Sequence, residues 1–214
     1  MKSGLKPEEA TYLIFDLGGV IIDIAPEDTV RQLTLLPHRR RNRLDLKALA
    51  MVSNALETGA ISEADFRTEL RQILHTHAAD HLLDEAWNSM LKTIPPAKIA
   101  LLRELSSSHT LYLLSNTNSI HMREVERKLK EVSGLNSFDD LFTKCYYSHK
   151  EKVKKPNPEL FTRVIKENNL DAAKGIFLDD LEENLAGARQ TGLSTILVTK
   201  PDSLFEIFSY EPQP

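Results

Sequence analysis

Asp16 stands where the apolar run Tyr12-Leu13-Ile14-Phe15 stops, and Gly18 and Gly19 follow it closely. A carboxylate at a strand end can attack, bind a proton or hold a cation, and nearby glycines let backbone approach a ligand. An ordinary strand-to-loop turn also explains the hexapeptide Phe15-Asp16-Leu17-Gly18-Gly19-Val20. Ser115-Asn116-Thr117-Asn118 ends a second apolar run and offers hydroxyl, amide and backbone N–H donors to an anion. Taken alone, a helix N-cap accounts for it more simply. Asp179-Asp180 closes a third run, ahead of Glu182 and Glu183. Adjacent carboxylates suit a hard cation such as Mg²⁺, while helix capping and dipole complementarity explain the acidic turn without one. Lys155-Pro156 follows the charged stretch Lys150 to Lys154, which on its own reads as a solvated loop. A lysine there could also meet a phosphate as a point charge.

These residues need a scaffold, and the surrounding pattern supplies one. Besides the three runs above, Ile196-Leu197-Val198 leads into Thr199 and Lys200. Apolar runs without alternation predict strands buried on both faces, as in a parallel sheet. Helical spacing lies between most of them. Leu101, Leu102 and Leu105 precede the second strand, and Val125 and Leu129 follow it. Leu160, Val164 and Ile165 precede the third, and Leu185 and Ala188 follow, with Gly192 placed to end that helix. Alternating strands and helices predict an α/β fold with a doubly wound, Rossmann-like parallel sheet. Ligands of such sheets sit at the carboxyl ends of the strands, where all the polar residues above fall.

From about Pro26 to Pro95 the pattern is purely helical. Val30, Leu33 and Leu36 mark one helix, and Leu46, Leu49 and Leu56 a second. Ser62 with Asp65 forms a capping box ahead of Phe66, Leu70, Ile73 and Leu74, and Leu83, Ala86, Trp87, Met90 and Leu91 mark a fourth. The sequence therefore predicts a core of residues 1–25 and 94–214 and an inserted small α-helical domain at 26–93.

Composition excludes several classes of function. Against 31 Asp+Glu stand 27 Lys+Arg, and a net charge of -4 argues against nucleic acid as a partner. A lone cysteine, Cys145, makes neither an intramolecular disulfide nor a thiolate zinc site and reads as packed beside Tyr146 and Tyr147. No apolar run approaches the ~18 residues of a membrane span, and the amino terminus carries charges where a signal peptide needs apolar residues. A cytoplasmic protein with no membrane partner is the expectation. His75, His77 and His81 match no familiar zinc spacing and read as an exposed helix connection. The basic run His38 to Arg43 reads as a solvated loop or a steering patch for an anionic substrate.

Taken together and in this order, Asp16, Ser115, Lys155 and Asp179-Asp180 resemble the four motifs of the haloacid dehalogenase-like hydrolase superfamily, over nearly the whole chain. The helical insertion is similar to that superfamily's first class of cap. The stretches FDLGGVIIDI, LLSNTNSIH, KKPNPELF and FLDDLEENLAGARQTG look most like its sugar-1-phosphate phosphatases and the amino-terminal phosphatase domain of soluble epoxide hydrolases. The resemblance implies a Mg²⁺-dependent phosphatase of small phosphorylated metabolites: sugar phosphates, 1-phosphates in particular, or acyl phosphates. It implies Asp16 as nucleophile through an aspartyl-phosphate, with Ser115, Asn116 and Lys155 on the phosphate. Asp16, the Gly18 carbonyl and Asp180 would hold the metal, with Asp179 direct or through water. One departure is Gly18, where phosphatases of the superfamily usually carry an Asp acting as general acid and base. Asp23 is a candidate substitute, though a solvated loop Asp explains it more simply. A phosphomutase, or a phosphate-binding regulatory protein without turnover, are the alternatives. A metal-free dehalogenase fits less well, because an unneutralised Asp179-Asp180 pair would repel an anionic substrate.

Overall fold

The structure, a computed structural model, describes residues 5–37 and 44–212. The run His38 to Arg43 lies outside them. Strand β1 (Tyr12–Phe15) leads through a turn into four helices, α1 (Pro26–Leu35), α2 (Leu46–Glu57), α3 (Glu63–Leu74) and α4 (Asp80–Asn88). Next come α5 (Pro96–Leu105), β2 (Thr110–Ser115), α6 (Ser119–Ser133), β3 (Lys144–Tyr147), a single turn α7 (Ser148–Glu151) and α8 (Pro158–Glu167). The chain closes with β4 (Gly175–Asp179), α9 (Glu182–Arg189), β5 (Ser194–Leu197) and α10 (Ser203–Ile207). All strand pairs are parallel, in the order β3-β2-β1-β4-β5.

The uninterrupted apolar runs bury both faces of the sheet, because successive side chains point to opposite sides. Leu13, Phe15, Leu111, Leu113, Ile176 and Leu178 pack with α5, α6 and α10. Tyr12, Ile14, Tyr112, Leu114 and Phe177 pack with α8 and α9 on the other face. The edges behave differently. β5 is only half-buried, against the expectation from its apolar run, because it has one neighbour. β3 escaped the sequence reading altogether. It is a short edge strand that begins on an exposed Lys, so no apolar run announces it.

The four inserted helices gather around their own apolar cluster, centred on Phe66, Leu70, Leu83 and Trp87. Ser62 caps α3 through the expected box with Asp65. The two crossings into this unit pair with each other: Ile24 bridges Leu91 antiparallel, the Asp23 N–H donates to the Thr93 carbonyl at 2.9 Å, and the Lys92 N–H to the Asp23 carbonyl at 2.8 Å. Far from those crossings, Glu63 on α3 accepts from Ser119 and Arg123 on α6, both at 2.5 Å. The Arg123 guanidinium holds its carboxyl well below the usual range, against the opposing effect of burial. The Lys150 to Lys154 stretch is not simply a solvated loop: Lys152 reaches the Gly59 carbonyl at 3.0 Å and Lys154 reaches Glu57 at 2.9 Å. Among the described residues, no helix is long and apolar enough to cross a membrane.

Candidate active site

Parallel pairing of β1 with both β2 and β4 aligns their carboxyl ends, so Asp16, Ser115 and Asp179 emerge at one edge of the sheet. The Asp16 N–H continues the ladder into the Leu178 carbonyl at 2.9 Å. Lys155 enters from the segment after α7, and its side chain is 1% exposed. A lysine read in isolation as a surface residue is thus one of the most buried side chains in the protein. Its Nζ lies 2.7 Å from Asp16 Oδ1 and 2.7 Å from Asp179 Oδ2. Two carboxylates supply the compensation that makes this burial tolerable.

Each member of this triad is held by further contacts. Asp179 accepts from Lys155, from the Leu181 N–H at 2.8 Å and from Asn184 Nδ2 at 2.9 and 3.1 Å, so its oxygens are heavily engaged. The Asn116 side chain clamps the Lys155 peptide, donating to its carbonyl and accepting from its N–H, both at 2.9 Å. Asn116 therefore orients the lysine through its side chain. Ser148, fully buried, both accepts from the Thr117 N–H at 2.9 Å and donates to the Thr117 carbonyl at 3.0 Å, pinning the loop after β2. Sequence reasoning did not single out Asn184 or Ser148. Asn184 carried a usable signal, one helical turn after the acidic pair.

Both contacts to Asp16 fall on Oδ1, from Lys155 and from the Leu17 N–H at 2.7 Å. Among the described residues no hydrogen bond engages Oδ2. Burial pushes the Asp16 carboxyl up to about 7, with the Asp179 charge adding and Lys155 opposing. Burial and Asp179 also raise Asp180. Burial alone would lower the Lys155 ammonium, but the two carboxylates outweigh it and the net direction is upward.

One carboxylate oxygen from each of Asp16, Asp179 and Asp180 lies within 4.8 Å of the others. Three carboxylates against one ammonium leave the edge with excess negative charge and oxygen donors only, a donor set that fits a hard divalent cation. The histidines at 75, 77 and 81 are all exposed and form no such group among the described residues. Gly19, at φ +74°, is the glycine this edge requires: a Cβ there would stand 2.4 Å from Asp180 Oδ2. Gly18 is different. A Cβ there would meet Ile24 at 3.4 Å, an ordinary contact, and its backbone is open to any residue.

Asp16, Gly18, Ser115, Asn116, Lys155 and Asp180 all line one cavity of about 730 Å³. Asp23 also lines it, and it is not a solvated loop residue. Lys98, fully buried on α5, donates to it at 3.0 Å and holds it in place as an ion pair. Cys145 is half-buried, and burial pushes its thiol up, away from the thiolate form.

The chain is similar to known proteins. The family model of haloacid dehalogenase-like hydrolases matches residues 11–192. The D-ribitol-5-phosphate phosphatase of Bacteroides thetaiotaomicron is 28% identical over 186 residues, 86% of this chain and 89% of that protein. A solved structure of an enzyme of this family from the same organism, in complex with magnesium and inorganic phosphate, superposes with a TM-score of 0.79 at 31% identity, covering 88% of this chain and 93% of that one. A glyceraldehyde 3-phosphate phosphatase of Pyrococcus abyssi is 28% identical over 107 residues, half of this chain and 42% of that protein. The chain belongs to the haloacid dehalogenase-like hydrolases, and its relatives with named activities include phosphatases.

Proposed function

We propose that this hydrolase is a Mg²⁺-dependent phosphatase of small phosphorylated sugars, polyols or acyl compounds, acting through an aspartyl-phosphate on Asp16. The observation that carries this reading is the buried Lys155 held between Asp16 and Asp179, with Asp180 beside them, at the wall of one cavity. The magnesium and phosphate bound by a similar enzyme support it. Asp16 Oδ2 attacks phosphorus in line, the bond to the leaving oxygen breaks, and water then cleaves the phosphorus–oxygen bond to Asp16, regenerating the carboxylate. Lys155, the Ser115 hydroxyl and the Asn116 N–H bind the phosphoryl oxygens and stabilise the charge that develops on them. Asp16, the Gly18 carbonyl and Asp180 would hold Mg²⁺, with Asp179 direct or through water. The cation supplies positive charge that offsets repulsion between the carboxylate and the phosphate. The inserted helices serve as a cap that excludes water and selects the substrate.

Asp179 already engages its oxygens with Lys155, Leu181 and Asn184, whereas Asp180 has no such set of partners among the described residues. Asp180→Ala should therefore raise the Mg²⁺ concentration needed for half-maximal activity by more than Asp179→Ala does. Metal titrations of both variants check this, and equal responses would remove the assignment.

With glycine at position 18, no carboxylate stands there to protonate a departing alkoxide. Proton transfer of this kind is worth ~10²–10⁴-fold, so the loss should depend on the basicity of the leaving group. Anomeric sugar phosphates and acyl phosphates should exceed primary esters, such as a hexose 6-phosphate, by about a hundredfold in kcat/KM. Among the described residues a Cβ at Gly18 meets Ile24 alone, at ordinary contact distance, so Gly18→Asp should narrow that gap. A panel of phosphorylated metabolites, with and without Mg²⁺, tests the whole reading. Equal kcat/KM across leaving groups would place the proton donor elsewhere, and no Mg²⁺-dependent phosphate release would favour a phosphate-binding protein without turnover.

A further inference from the structure

His121 is the third residue of α6, soon after Ser115 at the end of β2 and Asn116 in the loop, and its backbone N–H donates to the N-cap Asn118 Oδ1 at 3.0 Å. The side chain leaves its own helix's surroundings and is held by the inserted unit. The imidazole lies flat on the Trp87 indole, with ring centroids 5.3 Å apart and planes within 2°. Its Nδ1 sits 2.8 Å from Asn88 Oδ1. An amide oxygen only accepts, so this contact assigns the ring proton to Nδ1 and leaves Nε2 as a bare acceptor. Among the described residues, nothing donates to Nε2. His121 is only 7% exposed, yet it lines the cavity shared with Asp16, Ser115 and Lys155.

Burial pushes this imidazole down to about 4, so the ring is neutral near neutral pH. A neutral acceptor has nothing to offer a phosphoryl oxygen, which is also an acceptor, and no proton to give a leaving group. It complements a donor. Ile24, Met90, Leu91 and Val125 line the same cavity with apolar side chains. Resting on the phosphatase reading above, we infer that His121 Nε2 accepts a hydrogen bond from a hydroxyl on the organic part of the substrate, so the enzyme selects sugar or polyol phosphates over phosphates lacking hydroxyls.

A purely structural His121, through its stacking on Trp87 and its bond to Asn88, would affect every substrate alike, and this separates the two roles. Wild type and His121→Phe are assayed with Mg²⁺ on glucose 1-phosphate, ribitol 5-phosphate and phenyl phosphate. The phenyl ring keeps the stacking but cannot accept. The ratio of kcat/KM for the better hydroxylated ester to that for phenyl phosphate should fall about tenfold, mainly through KM. Asn88→Leu provides a second route, since it removes the oxygen that keeps the proton on Nδ1. Nε2 can then take that proton and stop accepting, so the same ratio should fall with His121 intact. If His121→Phe fails to fold, Asn88→Leu decides alone. An active wild type with an unchanged ratio in the variants, or a parallel loss on all three substrates, overturns the inference and leaves the phosphatase reading standing. A wild type inert on all three overturns the inference, and one inert across the whole metabolite panel overturns the phosphatase reading as well.

Discussion

Asp16→Asn should abolish turnover while leaving the fold intact. Asn matches Asp in size and can still accept from the Leu17 N–H through its amide oxygen, but it is a poor nucleophile and a weaker metal ligand. The expected fall in kcat is about four orders of magnitude or more, whatever the leaving group. Stability should not follow. The wild-type carboxylate is buried, close to Asp179, and already raised to about 7, so removing its charge relieves a cost as well as an attraction. Lys155 keeps Asp179 as its partner. Circular dichroism and thermal melting alongside the assay separate the two effects. A variant with substantial residual activity would mean that Asp16 is not the nucleophile.

Lys155→Met should be costly in both respects. It removes the only cation between Asp16 and Asp179 among the described residues and leaves two buried carboxylates facing each other. Breaking a buried ion pair from one side typically costs about 3–5 kcal/mol. In a chain of this size that corresponds to a fall in melting temperature of roughly 10 °C. Adding Asp16→Asn to Lys155→Met removes one of the two stranded charges, so the double variant should melt higher than Lys155→Met alone. That sign of coupling distinguishes a lysine built into the core from one that only meets the substrate. Activity should be lost in both variants. A Lys155→Met protein as stable as wild type would contradict the buried triad.

The central strands were legible because β1, β2 and β4 are buried on both faces, which forces unbroken apolar runs. Their polar terminal residues were legible for the same reason: the run stops where the sheet does. β3 was not legible, since a four-residue edge strand beginning on Lys144 needs no such run. The depth of Lys155 was equally hidden. Burial of a lysine depends on which carboxylates meet it in space, and here they come from strand ends far away in the chain. Asp23 was hidden by the same kind of distant partner, Lys98. Two adjacent glycines look alike in sequence, yet only Gly19 is forced, by its positive φ and by the approach of Asp180. Asn116 was read as part of a phosphate-binding loop, but its side chain clamps the Lys155 peptide. His121 gave no signal because its partners, Trp87 and Asn88, belong to the inserted helices.

The central claim is that the phosphoryl group passes through Asp16. Wild-type protein mixed with Mg²⁺ and a substrate it hydrolyses, quenched in acid within one turnover and digested, should yield the peptide containing Asp16 with the added mass of one phosphoryl group. The same peptide from Asp16→Asn should be unmodified. Phosphate release without any such adduct, or an adduct on a peptide lacking Asp16, would contradict the account.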